Sequence, residues 1–246
     1  MGSKSRQEIL GTTGLFHKMQ KGHNSEKIYS TKSEKDAYLK LLFEKLTPEI
    51  AEEMAVNSFC VMNNHAHELG QCGVNMKKKF RIREGIKALG NFMRNVNSVY
   101  ATRYNKSRDR SGSVQNSRPK TVEIKNPRSV LNVMMYIDAN PVKAGIVTSP
   151  EKYRWSSYNY YAYGKTSEHT EKLAEPEAYT QLGKTRAQRQ RRYRRMMLYY
   201  LRRLDLLKDI PADDEGADDL DRFDNIFALI DELIREASLK TVIKPG

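Results

Sequence analysis

Two of the chain's five histidines, His65 and His67, stand two apart in 59-FCVMNNHAHELGQC-72. On a β-strand, side chains alternate between faces, so both imidazoles would point the same way. Two imidazoles can hold a metal ion but seldom complete a site, so further ligands have to come from elsewhere in the chain. The segment 136-YIDAN-140 supplies candidates: Tyr136 and Asn140 are four apart and share one face of a helix, one turn from each other. Set against the histidine strand, that face would add the Asn140 amide oxygen as a third ligand and bring the Tyr136 phenol beside the ion. Two neutral imidazoles and an amide oxygen suit a divalent ion with vacant positions, Mg²⁺ or Mn²⁺. Such an ion polarises a phosphoryl oxygen. A phenol next to that phosphate can attack in line and form a phosphotyrosine link. With a free pKa of about 10, the phenol needs help from the metal or from a neighbouring base.

Composition narrows the partners. The net charge is +13, and residues 209–246 hold eleven acidic and four basic residues, a net of −7, which leaves +20 on the first 208 residues. A body this basic points to a polyanion, nucleic acid before an anionic membrane surface. No run approaches the roughly eighteen apolar residues of a membrane span, and MGSKSRQEIL has no apolar signal core. The two cysteines, Cys60 and Cys72, make no disulfide framework, and free thiols suit a reducing, cytoplasmic setting.

The elements that must position these residues follow from periodicity. Residues 12–22 read as a strand ending in a Gly turn. A helix is expected from Ser33, with Ser33 and Asp36 as a capping box and Leu39, Leu42, Phe43 and Leu46 on one face; Pro48 marks a break or a second helical start. Residues 56–62 and 65–72 are two strands joined by a tight turn at Asn63-Asn64. Residues 85–104 form an amphipathic helix, a strand follows near 113–124, and a helix opened by Pro127 and Ser129 stops before Pro141. The βαββαβ order predicts an α+β fold, a ferredoxin-like split-βαβ sheet with helices packed on one face. Residues 1–164 are read as this domain and 165–246 as a helical extension, with a basic helix at 184–208 and an acidic amphipathic helix at 217–238. There is no internal repeat.

The succession VMNNHAH, NFMRNVNSVYATRYN, YIDANPVKAGIV and YRWSSYNYY resembles the single-tyrosine transposases of the HUH endonuclease superfamily, in particular the REP-associated branch. The resemblance runs from about Leu15 to about Tyr161, roughly two-thirds of the chain. It implies that His65 and His67 bind the metal, that Tyr136 is the nucleophile and that Asn140 completes the metal site. It also implies action on single-stranded DNA, often beside a hairpin, through a 5′-phosphotyrosine intermediate that frees a 3′-OH. Asn63 stands where the family commonly has Pro, and Glu68 follows the histidines where relatives usually continue with aliphatic residues. Glu68 alternates to the face opposite the histidines.

The stretch 184-KTRAQRQRRYRRMMLYYLRR-203 holds nine Lys/Arg and no acidic residue. Arg186, Arg189, Arg191, Arg192, Arg194 and Arg195 are candidate phosphate contacts, and Tyr193, Tyr199 and Tyr200 either stack on unpaired bases or pack. The clusters 77-KKKFRIR-83 and 105-NKSRDRSGSVQNSR-118 could track a strand, though loop composition would look the same. His17 and His23 read as structural or phosphate-contacting rather than ligating. The expectation is a metal-dependent single-stranded DNA endonuclease and strand transferase, monomeric or homodimeric. Its rivals are a catalytically silent single-stranded DNA or hairpin binder on the same fold, and a phosphodiesterase in which water attacks.

Overall fold

The computed structural model describes residues 5–73, 81–116 and 118–207. The expected acidic helix at 217–238 and the first part of the 77–83 cluster lie outside them. A short helix α1 (Arg6–Leu10) precedes β1 (Leu15–Lys21), α2 (Lys32–Lys45), α3 (Pro48–Glu53), β2 (Met54–Val61), β3 (His65–Cys72), α4 (Arg81–Ser107), β4 (Lys120–Glu123) and α5 (Val130–Lys143). Then come α6 (Tyr158–Tyr163), α7 (Glu177–Thr180) and α8 (Arg186–Leu207). The four strands form one antiparallel sheet in the order β2-β3-β1-β4. This is the split-βαβ arrangement that the element order predicts.

The helices do not share one face, as the sequence reading had them. Tyr38 of α2 donates to Glu68 at 2.5 Å, and Asn97 of α4 donates to Gln20 at 2.9 Å, so α2 and α4 cover the face of Gln20 and Glu68. Tyr136 of α5 packs edge-on against His17 and His67, which alternate to the other face. A sheet apolar on both faces needs a layer on each, and the apolar α5 supplies the second.

Local chemistry moves three boundaries. The α2 capping box is formed by Thr31 and Glu34, not Ser33 and Asp36; Asp36 instead accepts the Trp155 indole N–H at 2.8 Å. The strand expected at 113–124 is reduced to β4, because Pro119 cannot donate to a ladder and residues 114–116 turn to join the end of β1 through His23 and Lys21. Helix α5 runs through Pro141 rather than stopping before it. Proline deprives the Ile137 carbonyl of its helical donor, and the Asn140 side-chain amide lies 3.4 Å from that carbonyl in its place. The helix then ends at Gly145, whose φ of +67° favours glycine.

The hairpin between β2 and β3 closes with Met62 N–H donating to the His65 carbonyl at 2.8 Å. Neither Asn63 nor Asn64 takes a left-handed φ, so this is not the primed turn that Asn pairs often make. Outside contacts hold it: Lys35 Nζ donates to Asn63 Oδ1 at 2.9 Å, Tyr29 N–H to the Asn63 carbonyl and Gly22 N–H to the Asn64 carbonyl, both at 2.8 Å.

The outer edge of β2 is also covered. Val61 N–H donates to Trp155 O and Ser157 N–H to Phe59 O, both at 2.9 Å, and Ala174 N–H donates to Val56 O at 3.0 Å. The WSSY segment thus adds to the edge strand and protects it. A compact unit extends to Tyr193 and a second begins at Arg194, so residues 165–193 are part of the first.

Within that unit Asp138 is fully buried and ties α5 to its neighbours, accepting from Tyr193 Oη at 2.8 Å and Ser157 Oγ at 3.1 Å. Burial raises its carboxyl pKa to about 7 despite these donors. Between about pH 4 and pH 7 the folded chain keeps a proton that the unfolded chain has released. The Asp138 contribution to stability therefore falls as pH rises through this window and levels off above it, by on the order of 4 kcal/mol at most. Because the buried His17, His65 and His67 titrate with the opposite sign over part of this range, the test is the difference between wild type and Asp138→Asn: thermal melts should show the wild type losing stability relative to the variant as pH rises from about 4 to about 7.

Candidate functional site

The site sits on the α5-covered face of the two central strands. His65 and His67 project from β3 to this face, with ring centroids 4.8 Å apart. Strand β1 contributes His17, which is diagonal to His67 in the ladder, since Met19 is the residue directly opposite. His17 Nε2 and His67 Nδ1 are 2.9 Å apart and buried. The Tyr136 ring lies across both, 5.9 Å from His17 and 5.8 Å from His67 between centroids, near-perpendicular to each.

Hydrogen bonding sorts the imidazole nitrogens. His65 Nδ1 is 2.7 Å from Asn64 Oδ1; an amide oxygen only accepts, so His65 carries its proton on Nδ1 and leaves Nε2 with a lone pair. His67 Nδ1 is engaged by His17, and His67 Nε2 is buried without a hydrogen-bond partner among the described residues. An orphaned lone pair costs less than an orphaned N–H when a cation is its natural partner, so the tautomer with Nδ1–H donating to His17 fits best. A ligating histidine whose second nitrogen is fixed by an outer acceptor is how metal sites orient imidazoles.

All three rings are neutral near pH 7. Desolvation, with Lys120 and Lys18 nearby, lowers His17 to about 4. Desolvation and Lys21 lower His65 to about 4, and desolvation, His17, His65 and Lys143 hold His67 well below the usual value. Neutral imidazoles are the ligating form. The donor set therefore fits a divalent ion at His65 and His67. Among the described residues no group of three or more His, Cys, Asp or Glu is arranged to hold one.

Asn140 is buried on the face of α5 that carries Tyr136. Its Nδ2 donates to the Tyr136 carbonyl at 2.9 Å, which fixes the amide and leaves Oδ1 as its acceptor end. Lys143, one turn further along the same face, lies with Nζ 4.7 Å from the Tyr136 ring centroid, and desolvation lowers its pKa. Sequence reasoning passed over Lys143, Asn64 and the contact made by His17. The Tyr136, Asn140, Lys143 spacing of four and three was the available signal for the lysine; nothing local signalled that His17 meets His67.

The basic helix is divided in use. Arg189 pairs with Glu175 at 3.4 Å, Arg192 donates to the Leu182 carbonyl at 2.6 Å and Arg186 lies over the Tyr160 ring at 5.0 Å. Of these three, Arg189 is half-buried while Arg186 and Arg192 stay exposed, as Arg191 and Arg195 are; Arg194 is half-buried. Tyr193 packs, buried against Asp138; Tyr200 is buried and Tyr199 is exposed. In the 105–118 cluster, Arg108 pairs with Glu34, and Arg110 pairs with Glu26 at 2.5 Å.

Fold and site together define an α+β protein in which a helix-borne tyrosine faces a His-x-His strand. Among solved structures the chain is similar to a REP-associated tyrosine transposase bound to a REP hairpin, at 15% identity and a TM-score of 0.43, covering 68% of this chain and 89% of that one. No family model matches the chain, and no curated protein does. No helix among the described residues is long and apolar enough to cross a membrane.

Proposed function

We propose that the protein is a metal-dependent single-stranded DNA endonuclease and strand transferase, working beside hairpins through a covalent tyrosine intermediate. The observation that carries this reading is the meeting of the Tyr136 ring with a strand pair whose imidazoles are neutral and whose His65 and His67 Nε2 atoms are left for a ligand. His65, His67 and the Asn140 amide oxygen would hold Mg²⁺ or Mn²⁺, and the ion supplies Lewis-acid polarisation of the phosphate. The Tyr136 hydroxyl oxygen bonds to phosphorus as the bond from phosphorus to the 3′ oxygen breaks. The phenolic proton leaves to solvent, the 3′ oxygen departs as a hydroxyl, and the 5′ side stays on the enzyme. The ammonium of Lys143, over the Tyr136 ring, counters negative charge gathering at the reacting phosphate. The +20 charge of the first 208 residues favours DNA as the partner; the assembly is a monomer or a homodimer.

The test uses 3′-end-labelled single-stranded oligonucleotides containing hairpins, incubated with wild-type protein and Mn²⁺ or Mg²⁺ and resolved on denaturing gels. Label migrating with the protein, and lost on chelation, is the expected result. Free cleaved DNA without adduct would assign the attack to water, and binding without cleavage would make the protein a silent binder.

A further inference from the structure

Between α4 and the segment 112–119 runs an open groove of about 500 Å³, within the range of small-ligand and nucleotide sites. Its walls carry Arg6, Arg94, Asn97, Ser98 and Asn116, and among the described residues no carboxylate lines it. The wall is built into the sheet rather than being a loose loop. Asn97 donates to Gln20 at 2.9 Å, Gln20 Nε2 to the Asn116 carbonyl at 3.1 Å, and Asn116 N–H to the Lys21 carbonyl at 3.0 Å. Gly90 leaves room for an arginine: a Cβ there would come within 3.3 Å of Arg6 Nη1.

Among the described lining residues Arg6 and Arg94 face no carboxylate. Burial and the nearby Arg118 and Arg94 all push the Arg6 guanidinium below its ordinary value. Like charges held together at a partly desolvated place destabilise one another until an anion arrives, and guanidinium forks match phosphate oxygens two at a time. One wall of the groove is tied to the end of β1 nearest the histidine turn. Asn116 of its wall is bonded to the carbonyl of Lys21, the ladder partner of His65, and the next residue, Gly22, donates its N–H to the Asn64 carbonyl at 2.8 Å. A polymer leaving the groove at this end would have only the end of the sheet to round to reach the histidine turn.

We propose that this groove is a track for unpaired DNA flanking the reacting phosphate, with Arg6 and Arg94 on phosphate oxygens and Asn116 and Ser98 reading base edges. The proposal rests on the DNA reading above and adds where the strand runs. The run of the wall along about three turns of α4, from Gly90 to Ala101, favours a polynucleotide over a free nucleotide.

The experiment measures fluorescence anisotropy of a short unpaired oligonucleotide on the full chain in chelator, across salt, for wild type, Arg94→Glu and Lys40→Glu. Arg94 and Lys40 are both exposed, so each variant keeps its fold, and Lys40→Glu makes the same charge change on α2. Arg94→Glu should weaken binding by about tenfold or more and reduce the salt slope by about one, against less than about twofold for Lys40→Glu. Equal effects of the two variants overturn the groove and leave the DNA reading standing. No binding by the wild type overturns both. A mononucleotide whose binding needs Arg94, while oligonucleotide binding ignores it, would make this a free-nucleotide site and overturn the track.

Discussion

Tyr136→Phe is expected to abolish the protein–DNA adduct and to slow cleavage by on the order of a thousandfold or more, since no second hydroxyl replaces the attacking oxygen. The substitution is conservative for the fold. The ring keeps its edge contacts with His17 and His67 and its place under Lys143. Loss of one half-buried hydroxyl should cost no more than about 1 kcal/mol, and DNA affinity should move less than about twofold. Single-turnover cleavage, adduct formation, melting temperature and binding, measured on one preparation, separate these effects. A phenylalanine variant that cleaves at the wild-type rate would make Tyr136 a bystander and water the nucleophile.

Glu68→Ala is expected to destabilise the protein by about 3–5 kcal/mol, the range for removing one partner of a buried ion pair. Lys18 and Glu68 face each other across β1 and β3 with Nζ and Oε2 2.7 Å apart and relative side-chain exposures of 1% and 2%. Tyr38 Oη donates to the same carboxylate at 2.5 Å. Desolvation already lowers the Lys18 pKa, and Glu68 is the group that opposes this. Without Glu68 the ammonium either stays buried and unpaired or gives up its proton, and both cost stability. Lys18→Met combined with Glu68→Leu should recover most of the loss, because replacing a buried pair by apolar residues of similar volume is often close to neutral. Urea titrations of the single and double variants read this directly; a Glu68→Ala loss below about 1 kcal/mol would show the pair to be incidental. The pair also opposes register slips. A shift of β1 by one residue would carry Lys18 to the histidine face and bring His17 under α2 and α4.

That pairing explains why Glu68 looked out of place in sequence. Alternation from the histidines puts it on the opposite face, as found, but its partner Lys18 is fifty residues away and nothing local announces it. The same holds for His17, read as structural or phosphate-contacting and found against His67, and for the contacts that Arg186, Arg189 and Arg192 make with Tyr160, Glu175 and the Leu182 carbonyl. Capping signals were ambiguous for α2 because Thr31-x-x-Glu34 and Ser33-x-x-Asp36 overlap, and only the helix start decides between them. The passage of α5 through Pro141 depended on a side-chain amide close enough to the freed carbonyl to replace the missing N–H.

By itself the sequence determined the order of strands and helices, the common face of His65 and His67, the one-turn spacing of Tyr136 and Asn140, and the basic character of the body. These are local properties, set by the periods of strand and helix and by counting charges. The tertiary structure alone decided that α5 covers the face away from α2 and α4, that His17 engages the His67 imidazole, that Lys18 balances Glu68, and that Arg6 and Arg94 share a groove. Each of these joins residues far apart in the chain, and a periodic pattern says which side chains share a face without saying what that face will meet.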